Sequence, residues 1–166
     1  NSDRIKVFNL NESTSYEVDK GLVFSFDETD QLFAVSDGKS ISVYESGTSL
    51  SKINTDIYLP REIAISSTNN LLAIINKNSL QVFSLSDNNL IYQTTINAPE
   101  SFRDLKISED KIITGIHFKN DNISQGITRV YSVTGDLLNE IKGEQKLLRT
   151  IDKSLYKPIQ KSEYEP

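Results

Sequence analysis

His117 is the only histidine in 166 residues, and no cysteine accompanies it. Imidazole readily moves protons near neutrality, but its chemistry needs partners: further histidines or thiolates for zinc, a serine and a carboxylate for acyl transfer. No local grouping supplies them, so a lone histidine at the end of a strand reads as structural or exposed. Asp27, Glu28 and Asp30 crowd one turn, and Glu109-Asp110 occupies the corresponding turn further on. Calcium asks for about six to eight oxygens in set geometry. The turn between these two, Ser67 to Asn70, has no carboxylate. The acidic groups are therefore expected to be solvated hairpin turns. The seven glycines are scattered singly, with no phosphate-cradling loop. Asn11-Glu12-Ser13 and Asn122-Ile123-Ser124 match the glycosylation sequon, which matters only in a secreted eukaryotic protein. No catalytic residue, cofactor or metal ligand is assigned, and the chain is read as a non-enzyme.

Two features suit binding instead. Phe118 to Gly126, FKNDNISQG, is a polar insert expected to form a surface loop, with Lys119, Asp121, Asn122 and Gln125 as candidate partner contacts. From Lys142 onward, Lys142, Lys146, Arg149, Lys153, Lys157 and Lys161 recur every three or four residues beside Leu148, Ile151 and Leu155. Lys146, Arg149, Lys153 and Lys157 are the second candidate contact set, facing an acidic protein partner ahead of an anionic membrane. Residues 144–166 fit a helix ended by Pro158, the first strand of a further unit, or a disordered tail.

The elements that would carry these groups are β-strands. Nineteen Ile, 8 Val and 11 Thr stand beside 4 Ala, and branching at Cβ suits a pleated sheet better than a helix. Fourteen Asn and 21 Ser supply turns. Residues 61–96 read as four short strands, Glu62 to Ser66, Leu71 to Asn76, Leu80 to Leu85 and Leu90 to Ile96, separated by turn-forming residues. The unit repeats. Ile5-Lys6-Val7-Phe8, Ile41-Ser42-Val43-Tyr44, Leu80-Gln81-Val82-Phe83 and Thr128-Arg129-Val130-Tyr131 share x-x-Val-aromatic, with spacings of 36, 39 and 48. The first strands repeat in parallel: Phe24-Ser25-Phe26-Asp27, Ile63-Ala64-Ile65-Ser66 and Leu105-Lys106-Ile107-Ser108. Two registers agreeing on one period define a repeat of four antiparallel strands. The expected fold is all-β: β-propeller blades, with a half blade at 1–21, blades at 22–57, 61–96 and 101–143, and a basic tail or next blade at 144–166.

These blades resemble those of WD-repeat propellers, where the third strand carries an Ile-x-Val-Trp-Asp-like core. The chain departs from that pattern in having no Trp and one His. The family's His–Ser–Asp–Trp network is thus ruled out, and aromatic packing is expected in its place. A narrower resemblance is to the propeller of the endoplasmic-reticulum exchange factors for the COPII small GTPase. Their glycine-rich potassium loop has no counterpart here, so no functional residue carries over. Translation-initiation propellers are similar to almost the same degree.

Composition bounds the rest. The net charge of −5 argues against nucleic acid. No apolar run reaches the roughly 20 residues of a membrane span. The absence of cysteine is neutral on compartment, with a cytoplasmic setting favoured. The chain opens on Asn rather than Met, the start of a processed product or of a piece of a longer polypeptide. Three and a half blades are too few for the usual closed ring of about four to eight. The expectation is therefore an interaction scaffold in a larger assembly, its open edge completed by another chain, another part of the native protein, or its own tail. The alternatives are the propeller portion of a GTPase exchange factor, or a secreted bacterial ligand-binding propeller suggested by the lack of Cys, Met and Trp.

Overall fold

The computed structural model describes residues 4–9, 13–27, 29, 31–120 and 123–143. They form strands in four antiparallel sheets. β1 (Arg4–Asn9) and β2 (Thr14–Asp19) make a two-stranded sheet. β3 (Val23–Phe26), β4 (Leu32–Ser36), β5 (Ser40–Glu45) and β6 (Thr48–Asn54) form the first full meander. β7 (Glu62–Ser66), β8 (Leu71–Ile75), β9 (Ser79–Ser84) and β10 (Leu90–Thr95) form the second. β11 (Glu100–Ser108), β12 (Lys111–Asn120), β13 (Ile123–Ser132) and β14 (Leu137–Gly143) form the third.

The sheets stack face to face, with β7 lying against both β3 and β11. The first strands therefore run along the inside and the fourth strands outside. Burial follows that order: every residue of β8 is buried, every residue of β14 exposed. A strand covered on both faces reads as an unbroken apolar run, which is why Leu71-Leu72-Ala73-Ile74-Ile75 shows no alternation. Leu72 and Ile74 meet Leu32, Ala34, Ile41 and Val43 of the first full blade. Leu71, Ala73 and Ile75 meet Phe102, Leu105, Ile112 and Ile116 of the third. The third-strand aromatics Tyr44, Phe83 and Tyr131 are core residues, but Phe8 is exposed, because no blade precedes it among the described residues.

Short polar devices set the turns. Asp37 Oδ1 accepts from the N–H groups of Lys39 and Ser40 at 2.8 and 2.7 Å. Asn76 Oδ1 does the same for Asn78 and Ser79 at 2.9 and 2.8 Å. Both are turns closed by an Asp or Asn side chain, one blade apart. On the outer rim Gly47 and Gly135 adopt positive φ, and a Cβ there would stand 2.6 Å from Tyr16 and 2.8 Å from Tyr92. Each turn thus rests on an outer-strand tyrosine of the preceding sheet.

Two expectations need correction. The insert Phe118–Gly126 is mostly strand, not loop: β12 and β13 stay paired through Phe118↔Gln125, Lys119↔Ser124 and Asn120↔Ile123. Polar residues can continue a hairpin that has no core face to cover. The second concerns the polar network, which is present in a different form. Arg129 on β13 donates from Nη1 and Nη2 to both oxygens of Glu100 at 2.9 and 2.8 Å, and from Nε to Glu140 at 2.8 Å. At the equivalent place one blade earlier, buried Gln81 donates to Gln93 at 2.9 Å and accepts from the Thr55 hydroxyl at 2.7 Å. Aromatic packing and inter-strand polar ties coexist.

Candidate protein-interaction surface

The inner strands all begin at one end of the blades. There Leu22 N–H donates to Ser36 O, Arg61 N–H to Ile75 O and Phe102 N–H to Lys77 O. The connection from β6 to β7, residues 55–61, lies at this entry end and is held rigidly. Thr55 N–H donates to Lys39 O, Ile57 N–H to Thr55 Oγ1, and Asn76 Nδ2 to Tyr58 O. Ile57 and Pro60 are buried, whereas Tyr58 and Leu59 between them are 69% and 64% exposed. Leu59 has φ of +52°, a left-handed conformation that costs a residue with Cβ about 1 kcal/mol or more. Exposed Leu22 and buried Pro60 both lie beside buried Gly38.

Arg61 reaches across from this loop and donates from Nη1 to Phe102 O of the third full blade at 2.8 Å. Exposed Arg103 follows Phe102 at once. Partial burial, and then the Arg103 charge, hold Arg61 below the usual guanidinium range, with Asp104 opposing. Among the described residues neither arginine forms a salt bridge. Beneath them Glu62 accepts from Leu105 N–H at 2.6 Å, just past a bulge in β11 between Phe102 and Asp104. Burial, reinforced by the Asp104 charge, pushes the Glu62 carboxyl up to about 7, against the pull of that hydrogen bond.

Of the candidate residues, Lys119 and Gln125 are exposed on the β12–β13 hairpin, which projects from this same end. Asp121, Asn122, Lys146, Arg149, Lys153 and Lys157 lie outside the described residues, as do the readings of the tail. His117 is half-buried in β12, and its backbone carbonyl lies 3.5 Å from the Ser101 hydroxyl. Among the described residues no three His, Cys, Asp or Glu side chains gather as a metal site.

The Asp27 turn differs from expectation. Asp27 is buried at the opposite end of the blades and accepts from Thr29 Oγ1 at 2.7 Å, Gln31 N and Leu32 N at 2.9 Å, and the Ser67 hydroxyl of the next blade. Burial works to raise its pKa, but these bonds outweigh it and hold the carboxyl below the usual range. It is a tie between blades rather than a solvated turn. Glu28 and Asp30 lie outside the described residues. Glu109 and Asp110 are exposed beside Lys111, at 3.5 and 2.9 Å.

The sequence reading overlooked Tyr58, Leu59, Arg61 and Arg103. The available signal was the pair of large apolar residues before Pro60, in a linker between strand patterns.

No family model matches the sequence, and no curated protein does. Solved structures do. The C-terminal WD40 domain of Sif2 superposes with a TM-score of 0.61 at 17% identity, over 87% of this chain and 44% of that one. The chain has a β-propeller fold. Hydrazine synthase of Kuenenia stuttgartiensis gives 0.59 at 14% identity, over 82% of this chain and 47% of that one. Kluyveromyces lactis Hsv2 gives 0.53 at 16%, over 73% and 36%. The chain spans less than half the length of each, and its described residues make three four-stranded sheets and one two-stranded sheet. Among the described residues no helix is long and apolar enough to cross a membrane.

Proposed function

We propose that this chain is a non-enzymatic protein-interaction module, a partial propeller whose open half blade is completed by strands from outside the described residues. One comparison carries the reading. Phe24, Ile63 and Leu105 occupy the same place in three successive inner strands, and their exposures are 60%, 3% and 7%. Ile63 and Leu105 are covered by the preceding full blade. Phe24 follows β1 and β2, which correspond to a third and a fourth strand. They cover Phe33, Val35 and Tyr44 and leave Phe24 and Phe26 exposed. What is missing is a first and a second strand, and the inner edge of β1 is unpaired among the described residues. Such an edge beside two exposed phenylalanines invites strand addition, and burying each ring favours it by about 1.5–3 kcal/mol. The acidic composition supports a protein partner over nucleic acid.

Light scattering coupled to size exclusion tests this on the full chain. Mass above the monomer, rising with concentration, is expected for the isolated protein. The variant Phe24→Ser should return it to monomer mass with only a modest fall in thermal midpoint, since that ring is 60% exposed and touches buried Phe33 on one side alone. A wild-type chain that stays monomeric at high concentration would sink completion by a second copy, and an unchanged thermal midpoint on removal of residues 144–166 from that monomer would sink completion by its own tail.

A further inference from the structure

We propose that the entry end of the inner strands is a docking surface for a short protein segment carrying a large apolar anchor beside one or two carboxylates. This site is distinct from the unfinished half blade and stands independently of it.

Three features converge. The first is preorganised display. The 55–61 loop is tied down by Thr55, by the Asn76 amide on Tyr58 O and by Arg61 N–H, yet it holds Tyr58 and Leu59 outward. A rigid loop with two large exposed side chains loses little freedom on binding. The second is backbone conformation. The other non-glycine residues of positive φ among those described are Ser13, Ser46, Asn70, Asn88 and Glu109, small or polar residues in hairpin turns. Leu59 adopts the same conformation with an apolar side chain that neither folds inward nor caps a hairpin. The third is charge. Arg61 and Arg103 come from neighbouring blades, and the 2.8 Å bond from Arg61 Nη1 to Phe102 O sets one guanidinium beside the residue that carries the other, so two like charges approach. A carboxylate placed between them would relieve that repulsion and accept bidentate hydrogen bonds. Tyr and Arg are also the residues most enriched where interface energy concentrates. Exposed Asp56 and Asp104 stand close to the arginines in sequence, so the surface lacks the broad positive field an anionic bilayer requires, and an incoming carboxylate has only the two guanidinium forks to engage.

The test is fluorescence anisotropy on the full chain with labelled peptides whose central Leu, Phe or Tyr is flanked by Asp and Glu. A matched set has Lys in place of the acids. Acid-flanked peptides are expected to bind with dissociation constants near or below about 100 µM, and the Lys set at least about tenfold more weakly. Leu59→Gly should weaken binding about tenfold or more while keeping or raising the thermal midpoint, because glycine accepts positive φ without strain. That separates lost binding from lost folding. Arg103→Ala should weaken binding about fivefold and flatten its salt dependence. Failure of every acid-flanked peptide to bind would overturn the proposal. So would equal binding of the Lys set, unchanged affinity in Leu59→Gly, or a stronger response to phosphatidylserine vesicles than to the peptides.

Discussion

Arg129→Met is expected to cost about 3 kcal/mol of folding stability, read as the shift in urea midpoint at constant slope. The Arg129 side chain is 16% exposed and donates three charge-assisted bonds of 2.8–2.9 Å to two glutamates whose side chains are 22% and 28% exposed. Burial works to weaken its hold on the proton, and Glu140 and Glu100 more than reverse that. A surface ion pair is worth less than about 1 kcal/mol. Here the loss is larger because half-buried Glu100 would be left without a counter-charge, while Glu140 on the outer strand keeps only exposed Lys142 at 3.6 Å. Methionine keeps most of the aliphatic stem, so the missing energy is not that of a cavity. The origin is separable: adding Glu100→Gln and Glu140→Gln to Arg129→Met should recover more than half of the loss. A single variant within about 1 kcal/mol of wild type would show that the three strands need no ionic tie.

Why this network escaped the sequence reading is instructive. The x-x-Val-aromatic motif aligned Ser42, Gln81 and Arg129, and the blades indeed place them alike in the third strand. Their partners differ in origin. Gln93 and Glu140 sit opposite on the fourth strand and follow from register, whereas Thr55 lies in the connection that precedes the blade of Gln81 and Glu100 at the start of β11, two strands away from Arg129. Neither position neighbours the third strand in the pairing order, so strand register alone does not announce it. The blade architecture itself was legible because local and global patterns coincide: two motif registers recur, and a strand buried on both faces reads as a solid apolar run. Polarity misled at two turns. Phe118–Gly126 lacks apolar alternation because its hairpin projects beyond the core. Asp27 reads like a solvated turn because its anchors, apart from nearby Thr29, Gln31 and Leu32, include Ser67 forty residues away. Composition registers that a group is polar, not whether the fold turns it inward.

Glu62 gives the chain a stability that declines as pH rises through neutrality. Its folded pKa is pushed up to about 7, above the ordinary glutamate value of 4.5, by burial first and Asp104 second. An acid whose pKa is raised on folding holds its proton more tightly in the native state. Its stabilisation is therefore complete below about 4.5 and disappears as pH climbs past about 7. At about 1.36 kcal/mol per pH unit the full gap is worth about 3 kcal/mol, and the partial exposure of the side chain trims that to about 2. Glu62→Gln keeps an oxygen for Leu105 N–H and removes the ionisation. The variant should match wild type near pH 5 and exceed it by about 2 kcal/mol at pH 8, measured by urea denaturation at both pH values. The sign is the discriminating feature, because a carboxylate stabilised by a salt bridge would weaken the protein on acidification instead. A wild-type protein equally stable at pH 5 and pH 8 would mean that water reaches Glu62. The tie between β7 and β11 would then rest on the hydrogen bond to Leu105 alone.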